Sequence, residues 1–74
     1  MNNKLSPPIS RFLINSLGGT KHIAEIFDLT LPAVSYWKKH GIPRQYVLYL
    51  SEKFRANPVF KRDDVIAFVK SKGS

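Results

Sequence analysis

Residues 20–40 read TKHIAEIFDLTLPAVSYWKKH, and the apolar spacing inside this stretch decides the fold. Thr20 offers a capping hydroxyl, and Ile23, Ala24 and Phe27 form the apolar face of a short helix running to about Phe27. Asp28-Leu29-Thr30 breaks the pattern. Aspartate enters left-handed backbone space more cheaply than most residues, and Thr30 can cap whatever follows. Pro32 then falls in the first turn of the next helix, where its missing N–H is tolerated. Val34 and Trp37 point to one side of that helix, and Gly41 with Pro43 closes it after His40. Two short helices joined by a tight turn make a helix-turn-helix. Such a unit needs a small residue where the helices approach most closely, and Ala24 stands there. Ile23, Leu29, Val34 and Trp37 stand where the pair is locked from behind, and Asp28 takes the place at the turn usually held by glycine.

Outward from this unit, the chain divides at its prolines and glycines. Ser6 precedes Pro7-Pro8, a capping hydroxyl before a helical first turn. Ile9, Phe12, Leu13 and Leu17 then recur at helical spacing, with Ser10, Arg11 and Asn15 on the other side, until Gly18-Gly19 stops the helix. From Arg44 to about Arg55, Tyr46, Val47, Leu50 and Phe54 make an inward stripe that Asn57-Pro58 should end, with Leu48 and Tyr49 off that stripe. The tail has two readings. Val59-Phe60-Lys61 is β-prone and would suit a hairpin, whereas Asp63 or Asp64 could cap a helix carrying Val65, Ile66, Phe68 and Val69, which is the preferred form. The expectation is therefore one compact all-α domain spanning residues 1–74, with four or five helices and frayed ends at 1–5 and 71–74.

The composition limits what such a domain can do. Seventy-four residues leave little room for a buried multi-step active site, and the formal charge of +7, from 12 Lys+Arg against 5 Asp+Glu, asks for a polyanionic partner. A hydrophobic fraction of 43% argues against disorder. Cysteine is absent, so neither a disulfide framework nor a thiolate zinc site is available. The two histidines, His22 and His40, lack partners at metal-ligand spacing, and Leu17-Gly18-Gly19-Thr20 lacks the context of a phosphate loop. No stretch approaches a membrane span, and the opening MNNKLSPPIS has no apolar core of a signal peptide. These readings give no metal, no cofactor, no enzyme and a cytoplasmic location.

Gly18-Gly19-Thr20, then Ile23-Ala24, then Ala33-Val34-Ser35-x-Trp37-Lys38, and finally Gly41-Ile42-Pro43 with Arg44 resemble the Cro/YdaS-like family of phage and prophage regulators, over about residues 5 to 70. The resemblance implies a lambda-repressor-like fold whose third helix enters the DNA major groove, and a transcriptional repressor acting at an operator in a bacterial host. It leaves both a β-hairpin and a helical end open for the tail.

With Val34 and Trp37 turned inward, the base-reading positions are Leu31, Pro32, Ser35, Tyr36 and Lys39. The set lacks Arg, Asn and Gln, so each subunit should discriminate modestly, and a homodimer on a pseudo-palindromic site would supply the remainder. The stretch from Leu29 to Ser51 holds Lys38, Lys39 and Arg44 and no acidic residue. Thr20, Lys21, Thr30, Lys38, Arg44 and Gln45 are the expected phosphate contacts. Roughly five neutralised phosphates per subunit would give log K a slope of roughly −4 to −5 against log salt. A competing reading keeps the fold but gives it a protein partner, as an antitoxin or as an adaptor in a replication or excision complex. A nuclease reading has only Asp63-Asp64 to offer as a carboxylate cluster.

Overall fold

The computed structural model of the protein describes residues 4–71. It is all-helical, with α1 Pro7–Ser16, α2 Thr20–Phe27, α3 Leu31–His40, α4 Arg44–Lys53, a 3₁₀ turn Pro58–Lys61 and α5 Asp63–Lys70. The tail therefore forms a helix, and β-prone Val59-Phe60-Lys61 lies in the 3₁₀ turn, where the Asn57 side chain accepts from the Val59 N–H at 3.0 Å. Arg62, not Asp63 or Asp64, occupies the cap position of α5, and both aspartates sit in its first turn. There they complement the positive end of the helix.

The core is built by one stripe from each helix. Leu13, Ile14 and Leu17 meet Ile23 and Ala24, Val34 and Trp37, Ile42, Val47 and Leu50, and Val59 and Val65, all buried. α1 and α2 both pack on α3, so the third helix is held from two sides. The buried face of α1 differs from the expected one. It runs through Ser10, Leu13, Ile14 and Leu17, while Phe12 is 45% exposed. A serine can lie on this face because its hydroxyl is fully used: it donates to the Leu5 carbonyl oxygen at 3.1 Å and accepts from the Ile42 N–H at 3.0 Å. Ser6 occupies the N-cap of α1, but its side chain makes no capping bond; the backbone carbonyl of Ser6 accepts from the Ser10 N–H instead.

The ends also depart from expectation. Lys4 and Leu5 are not frayed, since Lys4 pairs with Pro43 in an antiparallel bridge, the Leu5 N–H donates to the Ile42 carbonyl at 2.9 Å, and Leu5 is 2% exposed. At the other end Ser71 binds Arg44. Residues 1–3 and 72–74, also expected to fray, lie outside the described part of the chain.

Candidate nucleic-acid interface

The turn between α2 and α3 explains how α3 is aimed. The Leu29 N–H donates to the Ala24 carbonyl at 2.8 Å and the Asp28 N–H to that of Glu25, closing α2 with the paired bonds of a Schellman motif. The motif requires a left-handed residue, and Asp28 supplies it at φ 55°, ψ 46°. Thr30 then starts α3, its hydroxyl accepting from the Ala33 N–H at 3.3 Å. Thr20, in contrast, caps nothing: Gly19 is the N-cap of α2, and the Thr20 hydroxyl accepts from the Lys38 ammonium at 3.2 Å.

Two side chains anchor α3. Val34 is fully buried, and Trp37, 7% exposed, packs against Tyr46 with centroids 4.6 Å apart and meets Phe27 edge-on at 6.0 Å. Phe27 in turn stands edge-on to Tyr46 at 4.9 Å, so one aromatic group ties the ends of α2 and α3 to the start of α4. Aromatic contacts of this kind add about 0.5–1.5 kcal/mol each beyond their area.

With that side fixed, Leu31, Pro32, Ser35, Tyr36 and Lys39 are all exposed, Leu31 and Tyr36 by about half. The five expected reading residues thus share the solvent side of one helix. Thr30, Lys21 and Gln45 are exposed as well, and Lys38 is half-buried where it reaches Thr20. α3 carries no acidic residue, and its last turn is Lys38, Lys39 and His40.

Arg44 is not brought to this face. Its guanidinium donates to the carbonyl oxygens of Phe68 at 2.6 Å and Val69 at 3.0 Å, to the Ser71 hydroxyl at 3.0 Å and to the Ser71 carbonyl, and it lies over the Phe68 ring. Those carbonyls end α5 and have no partner within the helix, so a planar, multiply donating cation is held there.

Three residues at the face were not singled out by sequence. Arg11 donates to the Lys38 carbonyl at 2.8 Å, binding α1 to the last turn of α3. His40 stacks on Tyr36 with centroids 4.1 Å apart, a contact that the i, i+4 spacing could have signalled. Lys4 places its ammonium 5.8 Å from the centre of the Tyr36 ring. The local signal beside Lys4 is Leu5, an isolated apolar residue ahead of the start of α1.

Among the described residues, no helix is long and apolar enough to cross a membrane, and no group of three or more His, Cys, Asp or Glu could hold a metal ion. Comparison with protein families, with characterised proteins and with solved structures finds no match.

Proposed function

We propose that this domain is a sequence-specific binder of double-stranded DNA that acts as a transcriptional repressor in the cytoplasm of a bacterial host, with α3 as its reading helix. The observation that carries the reading is the division of α3. Val34 and Trp37 are locked into the core while Leu31, Pro32, Ser35, Tyr36 and Lys39 face solvent on a helix without acids. A helix so anchored, with its N-terminal turn exposed, can enter a major groove without disturbing the core. Ser35 and Tyr36 offer donors and acceptors to base edges, and Leu31 and Pro32 offer apolar contact to a thymine methyl.

Phosphate contact falls to Lys21, Lys38 and Lys39, supported by Thr20, Thr30 and Gln45. Three lysines give a slope of log K against log salt of about −3 per subunit, shallower than a count that includes Arg44. Two copies related by a two-fold axis would set their reading helices about 34 Å apart on one face of the duplex.

Selection of bound sequences from a random duplex pool tests the reading. A palindromic consensus with half-sites one helical turn apart is the expected outcome. A pool that returns no enriched sequence, together with displacement of the protein from every duplex by random DNA, would instead favour a module whose partner is a protein.

A further inference from the structure

The last turn of α3 ends in carbonyls that a helix cannot satisfy by itself, and one of them is taken by α1. The Trp37 carbonyl accepts from the Gly41 N–H at 2.7 Å, and the Lys38 carbonyl accepts from Nη1 of the Arg11 guanidinium at 2.8 Å. Beside Arg11 on α1, the buried hydroxyl of Ser10 accepts from the Ile42 N–H at 3.0 Å. Two successive residues of α1 thus bond to backbone groups one helical turn apart, at Lys38 and Ile42. From the other side, the Lys38 ammonium donates to the Thr20 hydroxyl at 3.2 Å. Lys38 is therefore tied to α1 through its carbonyl and to α2 through its side chain.

We propose that Arg11 is a positioning residue for the reading helix: by holding the Lys38 carbonyl it fixes the tilt of α3, and so sets how Ser35, Tyr36 and Lys39 meet the duplex, without contacting DNA itself. The inference rests on the DNA-binding reading above. The first turn of α3 is set by the left-handed Asp28 and the Thr30 cap, and burial of Val34 and Trp37 fixes rotation about the helix axis. Apolar burial is non-directional and does not by itself fix the tilt. For a helix of ten residues, about 15 Å long, a tilt of about 4° about the first turn moves the last turn by about 1 Å. Recognition needs its groups placed within about 0.5 Å, so a directional bond at the far end decides the geometry. The charge of Arg11 acts in the same sense, since a cation at the C-terminal end of a helix complements its dipole. Arg11 is exposed, and a bond in contact with water contributes little to folding. Its effect falls on where the reading side chains stand.

The test compares binding to a cognate duplex, taken from the selected pool, with binding to random duplex. It uses the full chain and its Arg11→Ala, Arg11→Lys and Arg55→Ala variants, each with a salt titration and a melting curve, and with binding measured well below every melting temperature. Arg55, exposed just beyond α4, is the control arginine. Arg11→Ala is expected to lose about fivefold on the cognate duplex, the low end of what one base contact is worth, and less than about twofold on random duplex. Its salt slope should stay as it was. Arg11→Lys, which keeps a charged donor on a long stem, should recover most of the cognate affinity, and Arg55→Ala should match the unaltered protein. Equal losses on both duplexes, with a slope shallower by about 0.9, would make Arg11 a phosphate contact and overturn the proposal. An unchanged ratio of cognate to random binding in Arg11→Ala, whether or not its melting temperature falls, would confine the bond to folding and overturn it as well. Both of those results leave the DNA-binding reading standing. A pool that yields no cognate duplex for the unaltered protein overturns that reading and this one with it.

Discussion

The hydroxyl of Ser10 stands 3.0 Å from the backbone nitrogen of Ile42, thirty-two residues later in the chain. With its second bond, to the Leu5 carbonyl, this fully buried side chain joins the segment ahead of α1, α1 itself and the link between α3 and α4 at one point. Ser10→Ala therefore leaves two backbone groups without their partner in a dry interior. Each such group costs about 1–3 kcal/mol, so a loss of about 2–6 kcal/mol is expected, or a fall in melting temperature of at least about 10 °C for a domain of this size. Urea unfolding of the variant checks it. A loss below about 0.5 kcal/mol would mean that water reaches the site.

Gly41 and Gly19 both have positive φ, at +101° and +93°, yet alanine should affect them differently. At Gly19 a Cβ meets nothing within 4 Å, so Gly19→Ala costs only the backbone strain of an L-residue at positive φ, about 1–2 kcal/mol. At Gly41 the same Cβ strikes the Leu5 carbonyl, which is backbone and already bonded to Ser10. Gly41→Ala should exceed about 3 kcal/mol, as strain and overpacking add. Parallel denaturation of the two variants reads the difference directly, and equal losses would contradict Lys4-Leu5 lying against Gly41.

Arg62 holds Asp64 with two hydrogen bonds, at 2.9 and 3.1 Å, on the exposed side of α5. The bond from Arg62 is the main reason that the Asp64 carboxyl sits below its ordinary range, with the Val65 N–H adding to it against a smaller opposing effect of burial. A carboxylate lowered on folding contributes stability above its unfolded pKa, about 3.9, and loses it as pH falls through the lowered folded value. The unaltered protein should therefore be slightly more stable than Asp64→Asn at neutral pH, and the gap should close below about pH 4. Both groups are solvent-exposed, so the gap is small and should shrink with added salt. Melting curves across pH 2 to 7 would show it, and a gap that widened in acid would reverse the sign of the argument.

Legibility followed the range of the interactions. Asp28, Thr30 and Gly41 were readable because each meets a constraint set by its own φ or by a residue three or four positions away. Val34 and Trp37 were readable because burial of one helix stripe imposes a period on the sequence. The placement of Ser10 and Arg44 was not readable for the opposite reason: Ser10 is held by Ile42, 32 residues on, and Arg44 by carbonyls 24 or more residues on, and nothing local distinguishes a buried serine or a helix-capping arginine from solvent-facing ones. The exposed residues of α3 were legible as the complement of the buried stripe. The docking of Lys4-Leu5 on Ile42-Pro43 was not, because a two-residue segment has no period to detect.

Ser35 and Tyr36 are the positions where base reading and phosphate contact can be separated. Both are exposed on α3. Replacing either with alanine should cost about 1–3 kcal/mol on a cognate duplex and much less on random DNA, with the salt slope unchanged. Tyr36→Ala removes the stacking partner of His40 as well, so Tyr36→Phe provides the finer measurement: it keeps the ring and removes only the hydroxyl. Equal losses on cognate and random duplex would demote both residues to positioning contacts.

Arg44 provides the opposite pattern. Its guanidinium donates from both terminal nitrogens to the end of α5, a geometry that a lysine ammonium on a single point cannot reproduce. Arg44→Lys keeps the charge but should lose about 1–3 kcal/mol of stability, because at least one of the Phe68 and Val69 carbonyls goes without its donor. The salt slope of DNA binding should stay as it was. Lys39→Ala should do the reverse, leaving unfolding unchanged and making the slope shallower by about 0.9. Urea denaturation and salt titration on both variants complete the cross. Should Arg44→Met flatten the slope as much as Lys39→Ala does, while its stability remains intact, Arg44 would leave α5 when DNA binds and take a phosphate after all.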